Sequence, residues 1–524
     1  MTDRRAFLSA CTTLGLGSTL LPGVLYAEIS RGAELTVETI KAAEAVAAIA
    51  LTDAERAMLL DGLKRQVLQV EEVHAIDIPN DVPPALVFQP LMPSFRTRAR
   101  EDAPDTRARR APLRVSLPDT TATELAFASV RQLGALLRAK RVTSEQLARH
   151  ALERFEAHDS KLQCVVSLTA DRALAQARAA DEALARGDDR GALHGIPWGA
   201  KDLLAVRGYR TTWGSGSHKE QVIDADASVV QKLDAAGAVL VAKLTLGELA
   251  QGDVWFGGRT NNPWRLEEGS SGSSAGSAAA TAAGLVPFAV GSETLGSISS
   301  PSTRCGSTGL RPTFGRVARS GAMALSWSMD KLGPLARSVD CCALAFSAMH
   351  GGDGHDPTAV DAPFAWEPER GLDGIRIGYV ESAFALPERD LNNSGRILRA
   401  TKSFDDAALD AMKSLGAALT PITLPEFPYD ALRFILTAEA AAAFDTLTRE
   451  NRDDLLVQQG ASAWPNTFRT ARFISAVDYI NANRARTQAM RLWNALFADV
   501  DVIVTPTQAM GLSQLMATNL TGHP

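Results

Sequence analysis

Residues 269–299 read GSSGSSAGSAAATAAGLVPFAVGSETLGSIS. Two Gly/Ser elements, one holding Ser273 and one ending at Ser297, flank an alanine-rich run. Composition alone offers a flexible Gly/Ser linker as one reading. The other places Ser274 as the cap of a short helix carrying Ala275, Ala278, Ala279, Ala280 and Ala282, with Gly284 at its end. Simple linkers do not come in such pairs, so the helical reading is carried forward. A helix N-terminus presents free N–H groups and positive potential, which suits a site where negative charge develops.

Outward from this stretch the pattern is regular from Ser116 onward. Ser129 with Gln132, and Thr143 with Gln146, form two capping boxes in quick succession. The second opens a helix whose Leu147, Ala151, Leu152 and Phe155 share one face. A further helix covers Ala170 to Arg186 with Gly187 as its stop, and a strand follows from Ile196 to Ala200. Asp224 or Asp226 is expected to cap a helix bearing Val229, Val230 and Leu233, which ends at Gly237 and feeds a strand from Ala238 to Ala242. Far downstream, Ile480 to Phe497 reads as a helix, and Asp499 to Pro506 as a buried strand stopped by proline. Strand–helix alternation with short loops predicts an α/β sheet.

The chain has 524 residues, enough for two to four average domains or one large α/β domain. Its net charge of −6 gives no pull toward nucleic acid or anionic membrane. Residues 28–90 hold helical segments, clearest from Thr52 to Leu60. Arg98, Arg100, Arg107, Arg109 and Arg110 then alternate with Pro104, Pro112 and the acids Glu101, Asp102 and Asp105. Without interleaved aromatics this is a solvated strap rather than a nucleic-acid patch. Cys164, Cys305, Cys341 and Cys342 suit small buried apolar positions better than a disulfide framework. His350 and His355 bracket a Gly-Gly-Asp-Gly stretch that reads as the turn after a helix, with a zinc site as the second reading, and the cysteines and histidines form no metal-ligand spacing.

Arg4-Arg5-Ala6-Phe7-Leu8 resembles a bacterial twin-arginine export signal, with a weakly apolar run to Leu25 and Ala27 as a small residue for cleavage. A membrane anchor is the alternative, but Gly15, Gly17, Pro22 and Gly23 interrupt the run, and it is short for a span. The expectation is an exported, periplasmic protein whose residues 1–27 are removed.

Lys201 lies in Gly195-Ile196-Pro197-Trp198-Gly199-Ala200-Lys201-Asp202, and Ser273 and Ser297 stand 24 residues apart. With Leu193-His194-Gly195-Ile196-Pro197, Asn262-Pro263-Trp264 and the block Gly309 to Val317, the chain from about Ser116 to Pro524 resembles the amidase signature family. Members of that family hydrolyse or transfer at amide C–N bonds through a Ser-cisSer-Lys set. The resemblance implies an α/β fold with a mixed, mostly parallel central sheet wrapped by helices, and no cofactor or metal. It makes Ser297 the nucleophile, Ser273 (after a cis Gly272–Ser273 peptide) the proton relay, and Lys201 the terminal base. Backbone N–H groups of Thr294, Leu295, Gly296 and Ser297 would form the oxyanion hole. The organisation expected is a signal at 1–27, a helical extension and strap at 28–115, and the family domain at 116–524. In the family an Asn-x-x-Gly-x-Pro element like Asn519 to Pro524 precedes further strands and helices, so an incomplete C-terminus is expected.

The chemistry explains the residue types. A serine hydroxyl is a weak nucleophile until a base takes its proton. Lysine serves as that base only when neutral, a state favoured by burial and a nearby helix N-terminus. A hydroxyl both donates and accepts, so a second serine can pass the proton either way. Lys243 follows another strand in a similar position and is the competing lysine; its loss is expected to be mild. The chain departs from the family pattern at Ser271 (usually glycine), at Leu295 (usually glycine) and at Ser299 (usually arginine). Leu295 gives up freedom at positive φ, and Ser299 removes a cation that would anchor nearby carboxylates. The function expected is hydrolysis of a small amide through a Ser297 acyl-enzyme. An A-type amidotransferase component working with other subunits and tRNA, an esterase or carbamate hydrolase, and a catalytically dead binding protein are the alternatives. The partner expected is a small-molecule amide, with no nucleic acid and no stable membrane insertion after signal removal; a homodimer is left open.

Overall fold

A computed structural model describes residues 35–47, 49–78, 84–86, 116–368, 371–389, 401–507 and 513–524. The signal read at 1–27 and the arginine-rich strap lie outside the described residues. The chain divides into two compact units, one from 88–368, 453–458 and 522–524, the other from 1–87, 369–452 and 459–521.

The first unit opens with helices α1 (Ala122–Phe127), α2 (Val130–Arg138) and α3 (Ser144–Leu162). Both capping boxes form: Ser129 with Gln132, and Thr143 with Gln146, exchange hydrogen bonds that satisfy otherwise orphaned N–H groups. Then follow β1 (Val165–Leu168), α4 (Ala170–Ala185), β2 (Pro197–Lys201), α5 (Ser228–Ala235) and β3 (Val239–Leu244). The glycines read as stops, Gly187 and Gly237, take φ of +84° and +77°. The aspartate expected to cap α5 does not: the N-cap is Ala227 without a side-chain bond. Asp226 instead accepts from the Arg207 N–H at 2.9 Å and the Arg172 guanidinium at 3.0 Å. A charged partner outcompetes a neutral cap.

The unit continues with α6 (Ala275–Ala282), β4 (Phe288–Glu293), α7 (Ser299–Cys305), β5 (Thr308–Gly309), β6 (Lys331–Ala336) and α8 (Val339–Met349). The strands form one mixed sheet in the order β1-β3-β2-β4-β6-β5. Its centre, β3-β2-β4, is parallel, and its flanking pairs are antiparallel. Every residue of β2, β3, β4 and β6 is buried. A parallel centre covered on both faces requires that. Ala148, Ala151 and Phe155 of α3, Ala173 and Ala177 of α4, and Ala279 and Ala280 of α6 join Val239, Val241 and Ala289 in one core. Alanines at these contacts let helix backbones approach the sheet closely. The four cysteines among the described residues are buried and free, and α8 ends at His350 before Gly351 with φ of +90°.

The second unit carries a parallel three-stranded sheet in which Ile377–Val380 lies between Leu419–Ile422 and Val502–Val504. Its helices include Asp53–His74, capped by Thr52 with Glu55, and Ala476–Asp499. The strand read as buried before Pro506 is a sheet edge, and Val502 is exposed there.

Candidate active site

β2 delivers Lys201 at its C-terminal end, where α/β sheets place their ligand crevices. Trp198 and Phe288, register partners on β2 and β4, stack with centroids 6.1 Å apart and planes 7° from parallel. Lys201 Nζ lies 2.8 Å from Ser273 Oγ, 3.0 Å from Ser274 Oγ and 2.9 Å from Ser292 Oγ. The side chain is sealed from solvent. Burial pulls its pKa down to about 7, against an opposing upward pull from Asp330 and Glu293. The amine is therefore half neutral near pH 7 and able to accept a proton.

The three hydroxyls are not equivalent. Ser274 Oγ donates to the Ser292 carbonyl at 3.0 Å and accepts from the Ser292 N–H at 3.2 Å. Its proton is committed, so it only accepts from Lys201. Ser274 does stand at the N-cap of α6, but with no side-chain capping bond. Its hydroxyl holds the lysine instead. Ser273 Oγ donates to no acceptor among the described residues, and Ser273 immediately precedes Ser274, whose N–H holds the Ser297 carbonyl. The Gly272–Ser273 peptide is cis, as the resemblance implied. Gly272 is held by crowding: a Cβ there would stand 1.8 Å from the Gly252 carbonyl oxygen. Ser271, where the family usually has glycine, carries φ of +60°.

Ser297 reaches the pair through the backbone, because the Ser274 N–H donates to the Ser297 carbonyl at 3.0 Å. No hydrogen bond joins the Ser273 and Ser297 hydroxyls, and Ser297 Oγ has no partner among the described residues. A serine hydroxyl swings on one torsion, and hydrogen bonds of this kind tighten when substrate binds. Ser297 is 8% exposed against 1% for Ser273. The more accessible residue is thus the one read as nucleophile.

The turn before Ser297 needs left-handed backbone only at Gly296, with φ of +82°. Leu295 takes an ordinary φ, so the expected backbone cost of replacing glycine there does not arise. Among the described residues the N–H groups of Leu295, Gly296 and Ser297 have no acceptor. Thr294 leaves β4 with its hydroxyl donating to Asp330 Oδ1 at 2.5 Å. Burial raises the pKa of Asp330, while Thr294 and the N–H groups of Ser326 and Leu325 lower it.

The supporting carboxylate is Glu293. It accepts from the N–H groups of Ile298 at 2.8 Å and Ser299 at 2.9 Å, and from Ser299 Oγ at 2.6 Å. The cation thought lost with Ser299 comes from elsewhere: Arg311 Nη1 sits 3.0 Å from Glu293 Oε1. The small serine leaves room for a second hydrogen bond to the same carboxylate.

Lys243 is also misjudged by sequence. It is fully buried, with Nζ 2.6 Å from Asp202 Oδ1 and 3.1 Å from Thr211 Oγ1. Loss of the lysine from an ion pair that deep would strand the Asp202 carboxylate, so the mild effect expected from sequence is revised to a destabilising one. Ser292, Asp330 and Arg311 were not singled out from sequence, and Ser274 was read only as a helix cap. The signal available for Ser292 was its place, with Glu293, at the polar end of an apolar strand.

These features have counterparts in known proteins. Residues 146–520 match the amidase family. The A-type component of the glutamyl-tRNA(Gln) amidotransferase of Anaeromyxobacter dehalogenans is 35% identical over 430 residues, covering 75% of this chain and 85% of that one. The peptide amidase of Stenotrophomonas maltophilia superposes with a TM-score of 0.63 at 28% identity, over 75% of this chain and 88% of that one. A bacterial aryl acylamidase shares the fold, with a TM-score of 0.65 at 21% identity over 76% and 88%. With a family match over most of its length and relatives at this identity, the chain belongs to the amidase signature family.

Proposed function

We propose that this chain hydrolyses the C–N bond of a small amide through an acyl-enzyme on Ser297. The supporting observation is Lys201, sealed from solvent with a pKa near 7 and 2.8 Å from Ser273 Oγ. In the first step neutral Lys201 takes the Ser273 proton as Ser273 takes that of Ser297, and Ser297 Oγ bonds to the carbonyl carbon. The carbonyl oxygen, now an anion, accepts from the unengaged N–H groups of the 294–297 turn. Collapse breaks the C–N bond, and the leaving amine receives its proton back through Ser273. Water then repeats the sequence on the ester, returning Ser297 and releasing the acid.

Labelling by a fluorophosphonate probe, mapped by peptide mass, tests the reading. Adduct on Ser297 and ammonia release from simple amides support it. An unlabelled, inert protein that is well folded sinks it and favours a binding role. The names of the 35% identical relatives favour a second reading, an A-type amidotransferase component. Turnover that required tRNA and added subunits would establish that one instead. We further propose, from Arg4-Arg5-Ala6-Phe7-Leu8 and the apolar run behind it, that the chain is exported to the periplasm. A reporter fused behind residues 1–27 and followed in a strain lacking twin-arginine translocation tests this. Retention in the cytosol of that strain alone supports it.

A further inference from the structure

A cavity of about 350 Å³ opens beside the lysine relay. Leu203, two residues past Lys201, lines it with Ser292 and Thr294 at the end of β4. Ser292 Oγ is itself 2.9 Å from Lys201 Nζ, so one lining residue is in direct contact with the lysine. Most of the remaining wall is the segment before β6, with Met323 and Leu325 buried and Trp327 half exposed at the surface, and residues 355–358 after α8 complete it.

The wall has four titratable side chains, and their bonding decides what the cavity accepts. The Arg319 guanidinium donates to Asp356 Oδ2 at 3.0 Å, Thr358 Oγ1 at 2.8 Å and the Trp327 carbonyl at 2.8 Å. Asp356 also accepts from the Arg319 and Thr358 N–H groups and from Thr358 Oγ1. Asp330 accepts from Thr294 Oγ1 and from the N–H groups of Leu325 and Ser326. His355 is exposed at the rim. Each buried charge is already engaged within the wall, so a charged ligand group would enter without a counter-charge or would have to break one of these pairs. An apolar group meets Leu203, Met323, Leu325 and the Trp327 ring and displaces only water.

We infer that this cavity takes an uncharged, apolar substituent of the amide attacked by Ser297, and that Trp327 and Met323 set its size. The inference rests on the proposed amide chemistry for its place in the reaction. The volume, at the lower end of small-molecule pockets, suits a hexyl or phenyl group rather than a long acyl chain. A zwitterionic amino-acid amide such as L-glutamine is excluded from it.

Binding to the full chain carrying Ser297→Ala tests the cavity apart from turnover. Titration calorimetry would compare hexanamide, N-hexylacetamide and L-glutamine. At least one hexyl amide should bind tenfold or more tighter than L-glutamine, and the one that does shows whether the acyl or the amine side occupies the cavity. Adding Ala324→Phe, which projects a ring from the lining, should weaken that ligand at least fivefold; if this variant misfolds, Trp327→Ala serves the same comparison. L-Glutamine binding as tightly as both hexyl amides, or affinities untouched by the wall substitution, overturns the inference. Wild-type turnover separates the two claims. Hydrolysis of L-glutamine in preference to hexyl amides leaves the amidase reading intact and removes this one. An inert wild type whose Ser297→Ala form binds a hexyl amide with the stated selectivity does the reverse.

Discussion

Lys243 and Asp202 form an ion pair of 2.6 Å in which neither side chain is exposed, one residue along the chain from Lys201. Asp202 completes its bonding with the Thr212 N–H at 2.8 Å and hydroxyl at 2.5 Å. Burial lowers the pKa of both lysines. Only Lys243 has a carboxylate in contact; Lys201 is ringed by hydroxyls. Two lysines at the ends of neighbouring parallel strands therefore do different work.

Substitution separates them. Lys243→Met strands the buried Asp202 carboxylate and should cost about 3–5 kcal/mol of stability. Lys201→Met removes a poorly solvated amine without stranding any charge. It should be inactive, yet within about 1 kcal/mol of wild type or more stable at neutral pH. Urea unfolding of both variants checks this, and equal losses would contradict it.

Lys201 also sets a pH dependence with a definite sign. Its pKa is about 7 folded and about 10.4 unfolded. Between those values the unfolded chain binds more protons, so the Lys201 contribution to stability rises from pH 7 to about 10.4 and is lost as pH falls through that window. The full swing is roughly 5 kcal/mol. The ratio kcat/KM should rise with pH around an apparent pKa near 7. Unfolding at pH 7.5 and 9.5 (both approximate choices inside the window), in wild type and Lys201→Met, would isolate the term. A rate midpoint near ~10 would mean that the amine is not desolvated as described.

Ser297→Ala, Ser273→Ala and Lys201→Ala should each lower kcat by roughly 10³-fold or more. Doubles should be little worse than singles if, as proposed, one proton path runs through all three. Steady-state kinetics on the set decides it, and clean additivity would argue against a shared relay.

Ser271 holds φ of +60° where glycine would sit without strain. Ser271→Gly should therefore stabilise the protein by up to about 1 kcal/mol, the relief of left-handed strain exceeding the added freedom of the unfolded chain. A thermal melt with an unchanged or lower midpoint would refute this. Gly272→Ala is the contrasting case, since its methyl would collide with the Gly252 carbonyl. That variant should lose activity.

What sequence made legible was mostly local. The Ser129 and Thr143 capping boxes close within three residues and formed as read. Lys201, Ser273 and Ser297 carry distinctive neighbours, and the sheet brings their segments together. What escaped depends on partners far along the chain. Asp226 preferred Arg172, 54 residues away, over the helix beside it. Ser274 turned its hydroxyl to Lys201, and Arg311 supplied the charge that Ser299 lacks. A polar side chain offered several acceptors chooses by tertiary geometry, and no local pattern records that choice.

The parallel pairing of β2 with β4 sets Ala200 opposite Val290 and brings Ser292 over Lys201. Strand side chains alternate between faces, so a slip of one residue would turn Ser292 away and put Glu293 on the lysine's side. Lys201, Ser273 and Ser297 come from segments that meet only when this non-local pairing is in register. Covalent trapping at Ser297, if it is the nucleophile proposed, would thus act as a proofreader of the sheet. During refolding it should appear with the last correctly aligned strand pair, and misaligned chains, however compact, should stay silent.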